Sequence, residues 1–122
     1  MTLNFLLIIA AVFAVIFMLK RSGQISAEAA RAHLKNGALV VDVRSPGEFA
    51  SGHLPVAINL PLDEIESALP RRVKDKNQVL LLHCLSGTRS GMAKNKLKQM
   101  GYLNVHNLGS YGRAENILKQ TN

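Results

Sequence analysis

The sequence predicts an α/β domain in which a mostly parallel sheet lies between helices on both faces. Two continuous apolar runs, ALVVDV (38–43) and QVLLLHC (78–84), have the length and composition of strands that are covered on both sides. Segments with helical spacing of apolar residues follow each run, so strands and helices alternate along the chain. Such alternation is typical of a parallel sheet. A chain of 122 residues is long enough for one core of this kind but not for two.

The first 20 residues precede this domain and predict a transmembrane helix. The run from Leu3 to Leu19 has no charged residue and one polar residue, Asn4. At about 1.5 Å per residue such a helix spans roughly 28 Å, close to a hydrocarbon core of about 30 Å. A cleaved signal peptide is the alternative, but the segment lacks a basic beginning and its apolar run is longer than is usual for one.

The charges around this segment predict its orientation. No basic residue precedes it, whereas Lys20, Arg21, Arg31 and Lys35 follow it. Basic residues next to a membrane helix favour the cytoplasmic side, so we expect a single-pass protein with its domain in the cytoplasm; the periplasm is the alternative. Residues 21–25 are then a linker, and residues 26–120 form the domain.

The helices of the domain have recognisable start and stop signals. Ser26 can cap a first helix that ends at Gly37, and Ser45 followed by Pro46 can begin a short second one. We expect helices over 27–36, 46–49, 61–69, 89–100 and 111–119, and further short strands over 57–60 and 104–108. The apolar face of the helix over 89–100 is predicted to consist of Met92, Ala93, Leu97 and Met100.

Composition excludes several classes of function. The single cysteine, Cys84, excludes an internal disulfide and a cysteine-based zinc site, and the four histidines show no metal-ligand spacing. The net charge of +7 could favour nucleic acid, but the chain has only two Tyr, four Phe and no Trp, and it lacks a nucleic-acid-binding motif. We therefore expect no metal and no nucleic-acid partner; a monomer is our further expectation.

Cys84 lies at the turn HCLSGTRS (83–90), between a predicted strand and a predicted helix. In parallel sheets, ligands bind where strands end and helices begin. Backbone N–H groups of Leu85, Ser86, Gly87 and Thr88 can surround the sulfur, and the helix N-terminus adds positive potential. Together with the charge of Arg89 these groups favour a thiolate with a lowered pKa, and they favour an anion bound beside it.

The spacing of this loop distinguishes two kinds of cysteine chemistry. Tyrosine phosphatases and their arsenate-reducing relatives have five residues between Cys and Arg, whereas Leu85 to Thr88 are four residues. A shorter loop gives a smaller cradle, which suits one sulfur atom better than a tetrahedral phosphate.

Two motifs in the expected order then identify a resemblance. VVDVRSPGEFASGHLPVAINLP (40–61) and CLSGTRS (84–90) resemble the signatures of the rhodanese (thiosulfate sulfurtransferase) family, and the chain is similar to single-domain bacterial members over roughly residues 26–119. The resemblance implies a rhodanese fold and a bacterial inner-membrane location for the predicted anchor. Val56 and the segment GSYGRA (109–114) depart from the family pattern, which leaves the identity of the acceptor open.

The resemblance also implies roles for individual residues. Cys84 would attack a sulfane donor such as thiosulfate and would carry a persulfide, which a thiol or cyanide then removes. Loop residues 85–88 and Arg89 would bind the donor. Four further positions would form a hydrogen-bonded cluster that braces the active-site side of the domain: Asp42, Arg44, Glu48 and His53. The resemblance also implies that no cofactor is needed. The alternatives are a non-catalytic rhodanese module that docks or delivers sulfur to a partner protein, and phosphate-ester or arsenate chemistry.

Overall fold

The computed structural model describes residues 2–121, and for residues 19–22 it describes only the helical backbone. Helix α1 spans Thr2–Ser22. The domain that follows alternates strands and helices, as the sequence predicts. Its elements are α2 (Ala27–Lys35), β1 (Leu39–Asp42), α3 (Pro46–Ser51), β2 (Ile58–Asn59), a 3-10 turn (Leu62–Glu64), α4 (Ile65–Arg72), β3 (Leu80–His83), α5 (Thr88–Gln99), β4 (Val105–Gly109) and α6 (Tyr111–Thr121).

The sheet is parallel throughout and has the order β2-β1-β3-β4. The chain first moves from β1 to one edge of the sheet and later from β3 to the other edge. The carboxyl ends of β1 and β3 are neighbours at the point where this direction reverses, and Asp42 pairs with His83 there. Such a switch point leaves a crevice between the two outgoing loops, which is the usual place for a ligand in an open α/β sheet.

Both faces of the sheet are covered, which explains why its strands are continuous apolar runs. On one face Leu80 and Leu82 of β3 join a cluster with side chains of α4 and α5, including Ile65 and Leu97. On the other face Leu81 joins a cluster with α2 and α6. The three leucines of β3 are fully buried. Each contributes about 1.5–3 kcal/mol through removal of its side chain from water.

The predicted helix caps are present. The Ser26 side chain accepts a hydrogen bond from the backbone N–H of Ala29, and Ser45 and Glu48 form a reciprocal capping box at the start of α3. The prediction for α5 was wrong at Met92, whose side chain is about half exposed. The buried face of α5 instead consists of Ser90, Ala93 and Leu97. These positions follow a spacing of three and four residues, and Met92 lies outside that stripe.

The predicted transmembrane anchor over residues 1–20 is not supported. Among the residues that the structure describes, no helix has the combination of length and apolar character that crossing a membrane requires. The side chains of Lys20 and Arg21, on which the expected orientation partly depends, lie outside the described residues.

Candidate active site

Cys84 directly follows the central strand β3, and its loop leads into α5. Leu80, Leu82 and Cys84 share one face of the strand, so the sulfur points toward the side that α5 covers. The backbone N–H of Cys84 donates to the carbonyl oxygen of Gly109 at 3.3 Å, which ties the beginning of the loop to the end of β4. The predicted position of Cys84 at a strand-to-helix turn is therefore confirmed.

The loop donates hydrogen bonds to the Cys84 sulfur. The backbone N–H of Gly87 is 3.0 Å from Sγ, and the hydroxyl oxygen of Ser90 is 3.5 Å from it. Burial raises the pKa of the thiol, but hydrogen bonds from the Ser90 hydroxyl and from the backbone N–H groups of Ser90, Gly87 and Ser86 outweigh burial and lower the pKa below its ordinary value. Since the thiolate is the nucleophilic form of cysteine, these contacts favour the reactive form of Cys84.

Gly87 is the residue that lets the loop curl around the sulfur. It adopts a φ of 97°, in the left-handed region that favours glycine. A Cβ atom at this position would lie 3.3 Å from Cα of Gly109 and 3.2 Å from Nε2 of Gln24. Both the backbone conformation and the lack of space therefore require glycine where the N–H group turns toward Cys84.

Asn107 of β4 stabilises this loop, although it was not among the residues predicted from the sequence. Its Oδ1 accepts a hydrogen bond from the backbone N–H of Gly109 at 2.8 Å, and its Nδ2 donates to the carbonyl oxygen of Gly87 at 3.1 Å. The Ser90 hydroxyl lies 2.7 Å from Oδ1 of Asn107, and its one hydrogen is shared among this oxygen, the carbonyl oxygen of Gly87 at 3.1 Å and the Cys84 sulfur at 3.5 Å. Asn107 is buried in β4. Asparagine is uncommon inside strands, and this was the signal that could have pointed to it.

Of the three other residues predicted to surround the sulfur (Leu85, Ser86 and Thr88), Ser86 contributes a hydrogen bond from its backbone N–H group. The side chain of Leu85 is largely exposed, at 59 %. Ser86 and Thr88 lie on the rim of the loop, where their hydroxyl oxygens are 3.5 Å apart. Ser86 also forms an isolated antiparallel bridge with Ser110, which joins the loop to the segment between β4 and α6.

Arg89 forms a bidentate ion pair with Glu48. Its Nη1 donates to Oε1 of Glu48 at 2.6 Å and its Nη2 to Oε2 at 3.0 Å, and each side chain is about one-third exposed. The hydrogen bond from Arg89, together with those from Ser45, lowers the pKa of Glu48 to about 2. Glu48 in turn raises the pKa of Arg89, and a smaller contribution comes from Cys84. The Glu48 carboxylate therefore holds the guanidinium group at a position where the charge of Cys84 also affects it.

Asp42 and Arg44 form a second, more deeply buried pair at the end of β1. The guanidinium group of Arg44 donates to both carboxylate oxygens of Asp42, with distances of 2.8–3.0 Å, and its Nη2 also donates to the carbonyl oxygen of Gly52 at 2.7 Å. The ring of Tyr111 covers this guanidinium, with its centroid 4.8 Å from Cζ. With these partners Arg44 connects the end of β1 to Gly52 at the end of α3.

His53 and His83 lie near the site, and each is held by contacts within the fold. His53 is exposed, lies with Nδ1 2.9 Å from the carbonyl oxygen of Phe49, and stacks on the Phe49 ring with centroids 3.7 Å apart. His83 is fully buried on the face of β3 opposite to Cys84, and burial lowers its pKa. Its Nε2 has no hydrogen-bond partner among the described residues and is 3.8 Å from Oδ2 of Asp42.

The four residues that were expected to brace the site thus do not form one hydrogen-bonded cluster. Asp42 and Arg44 bond to each other, Glu48 bonds to Ser45 and Arg89, and His53 bonds to the backbone of α3. The pairing of Glu48 with Arg89 places one supporting residue against one predicted donor-binding residue. No rule of sequence spacing indicates this contact, because 41 positions separate the two residues.

Comparison with known proteins agrees with this geometry. Residues 26–112 match the family model described as a rhodanese-like domain. Over 69 residues the chain is 41% identical to the thiosulfate sulfurtransferase PspE of Escherichia coli (strain K12), an alignment that covers 57% of this chain and 66% of that protein. Over 70 residues it is also 41% identical to a sulfurtransferase of Allochromatium vinosum, covering 57% of this chain and 64% of the other. The matched part is thus just under two thirds of the length of each relative.

A solved structure shows the same fold. The structure described as a rhodanese with anions from E. coli superposes with a TM-score of 0.61 and 36% sequence identity. The superposition covers 63% of this chain and 91% of that one.

Proposed function

This chain belongs to the rhodanese-like family, and we propose that it is a sulfurtransferase that carries a sulfane sulfur as a persulfide on Cys84. The observation that supports this proposal most directly is the environment of the sulfur. A buried cysteine at the end of the central strand receives a hydrogen bond from Gly87 and has a lowered pKa. Its relatives from E. coli and A. vinosum carry the names thiosulfate sulfurtransferase and sulfurtransferase.

In the first half-reaction the Cys84 thiolate attacks the outer sulfur of a donor. With thiosulfate, a bond forms between Sγ and the outer sulfur, the sulfur–sulfur bond of thiosulfate breaks with its electron pair, and sulfite leaves. The product on the protein is a Cys84 persulfide with one negative charge. The N–H group of Gly87, which donates to Sγ in the free protein, and its neighbours in the loop stabilise that charge.

In the second half-reaction an acceptor removes the sulfur. A thiolate or cyanide attacks the outer sulfur of the persulfide, the new bond forms, and the Cys84 thiolate leaves with the electron pair of the broken bond. The two half-reactions make a ping-pong mechanism that needs no cofactor. Small-molecule donors and thiol acceptors are the substrates that we propose.

We propose that the donor approaches between the active-site loop and Arg89. The backbone N–H groups of the loop and the remaining N–H groups of the guanidinium are the donors that an anionic substrate requires. Leu85, Ser86 and Thr88 lie on the exposed rim of this approach. Since Glu48 occupies two of the guanidinium donors, Arg89 offers only part of its hydrogen-bonding capacity to a substrate.

Loading of the purified protein tests the proposal. After incubation with thiosulfate, mass spectrometry should show one added sulfur on the peptide that contains Cys84, and sulfite should be released in equal amount. Cys84→Ser should abolish both signals while its circular dichroism spectrum stays that of the wild type. A folded wild-type protein that takes up no sulfur from thiosulfate or an organic thiosulfonate would leave the alternative of a non-catalytic module that binds a partner protein. Hydrolysis of an aryl phosphate that requires Cys84 would instead indicate phosphatase chemistry.

The expected location at a bacterial inner membrane, with the domain in the cytoplasm, stays a prediction. Fractionation of cells that express the full chain tests whether the protein is attached to the membrane. A reporter fused after Asn122 that is active only outside the cytoplasm would contradict the predicted side.

A further inference from the structure

Glu48 connects the start of α3 with the active-site loop. Its Oε1 accepts hydrogen bonds from the backbone N–H and the hydroxyl of Ser45, at 3.2 and 3.0 Å, and from Nη1 of Arg89 at 2.6 Å. Its Oε2 accepts from Nη2 of Arg89 at 3.0 Å. The carboxylate is ionised at neutral pH, since its pKa is about 2. A full negative charge therefore lies beside the guanidinium of Arg89, which was predicted from the sequence to bind an anion.

Two of the three lysines of α5 have partners away from the site. Lys96 pairs with Glu66 at 3.2 Å, and Lys94 donates to the carbonyl oxygen of Gly23 at 3.3 Å. Glu48 and Arg89 thus form a pair whose charges cancel locally. The pair is only one-third exposed, so water and salt screen its field incompletely.

From this arrangement we infer that Glu48 determines the charge specificity of the site: it disfavours dianionic donors and favours sulfane donors with one negative charge, such as organic thiosulfonates. The inference rests on the proposed function. A dianion experiences twice the repulsion from the Glu48 carboxylate that a monoanion experiences at the same position, because Coulomb energy is proportional to charge. Removing the carboxylate charge should therefore help thiosulfate more than it helps a thiosulfonate.

The monoanionic donor supplies sulfur by the same balanced step. The Cys84 thiolate attacks the terminal sulfur of a thiosulfonate, the new sulfur–sulfur bond forms, and the bond to the sulfonyl sulfur breaks with its electron pair. A sulfinate anion leaves, and the persulfide on Cys84 keeps one negative charge. No oxidant or reductant is needed.

The variant Glu48→Gln isolates the charge. Glutamine can keep the capping box with Ser45, because its side-chain oxygen accepts the same hydrogen bonds. We expect kcat/KM for thiosulfate to rise on the order of threefold to tenfold at low salt, and kcat/KM for benzenethiosulfonate to rise by about the square root of that factor. The preference for thiosulfate over the thiosulfonate should therefore increase, and the increase should shrink as salt is added.

Two matched variants separate charge from structure. Ser45→Ala removes the capping box but leaves the Glu48–Arg89 pair, and Glu48→Asp keeps the negative charge on a shorter side chain. Both should keep the donor preference of the wild type. If Ser45→Ala changes the preference as much as Glu48→Gln does, the effect comes from the position of α3, and the inference is wrong.

Alkylation of Cys84 tests the same idea without sulfur transfer. Iodoacetate carries one negative charge and iodoacetamide none. Glu48→Gln should therefore raise the alkylation rate with iodoacetate relative to that with iodoacetamide, on the order of threefold. An unchanged or lower ratio in this variant would overturn the inference, whatever the sulfur-transfer activity. If the ratio rises but the wild type takes up no sulfur from any donor, the charge role of Glu48 holds and the proposed activity fails.

Discussion

Ser90→Ala is expected to make Cys84 less reactive at neutral pH. The Ser90 hydroxyl is 3.5 Å from Sγ, and its contact with the sulfur contributes to the lowered pKa of this thiol. A hydrogen bond to a charged group contributes about 1.5–3 kcal/mol. The contact here is long, so we take the lower end, about 1.5 kcal/mol, which corresponds to a roughly tenfold smaller thiolate population below the pKa. The lost hydroxyl raises the pKa of Cys84, so the effect should disappear at high pH, where both proteins are thiolates.

The rate of alkylation by iodoacetamide as a function of pH measures this effect. Cys84 is the single cysteine, so the signal has one source. Ser90→Ala should react about tenfold more slowly near neutral pH, and it should reach the wild-type rate at alkaline pH. Ser86→Ala is the matched control, because the Ser86 hydroxyl contacts Thr88 rather than the sulfur. A pH profile of Ser90→Ala that coincides with the wild type, or that moves to lower pH, would refute the reasoning.

Two further predictions concern stability. Asn107→Ala should lower the free energy of unfolding by about 2–3 kcal/mol, since it removes three hydrogen bonds, two of them buried, and takes away the acceptor of the Gly109 N–H group; urea titration measures this, and a loss below about 0.5 kcal/mol would contradict the bracing role. Glu48 has a folded pKa of about 2 and an ordinary value of 4.5, so its stabilising contribution is complete above about pH 4.5 and is lost as the pH falls toward 2. The free energy of unfolding should therefore fall less between pH 6 and pH 3 in Glu48→Gln than in the wild type. Equal decreases in the two proteins would count against a stabilising ion pair.

Local sequence rules predicted most of the domain. Ser26 and Ser45 cap helices because their side chains accept hydrogen bonds from N–H groups only three positions away, a contact that follows from helix geometry alone. The run before Cys84 forms the central strand because a segment that is apolar on both sides has to be covered on both sides. The parallel sheet followed from the alternation of such strands with helices.

The same rules were less successful where an element's surroundings decide its role. Met92 fits an apolar stripe on paper, but α5 turns Ser90, Ala93 and Leu97 toward the sheet and leaves Met92 half exposed. The rotation of a helix about its axis depends on the surface that it packs against, and this surface is not contained in the helix sequence. The apolar composition of α1 predicted a transmembrane anchor that the described helices do not support.

For the candidate site, the sequence by itself identified Cys84 as the candidate nucleophile and located the loop around it. Cys84, Gly87 and Arg89 are close in the chain, so their spacing fixes a turn in which N–H groups can meet the sulfur. Only the tertiary structure decided which partners these groups have. Asn107 reaches the loop because β4 lies next to β3, and Glu48 reaches Arg89 because the loops after β1 and β3 leave the sheet side by side. Contacts between positions far apart in the chain depend on strand order, and strand order results from the packing of the whole domain.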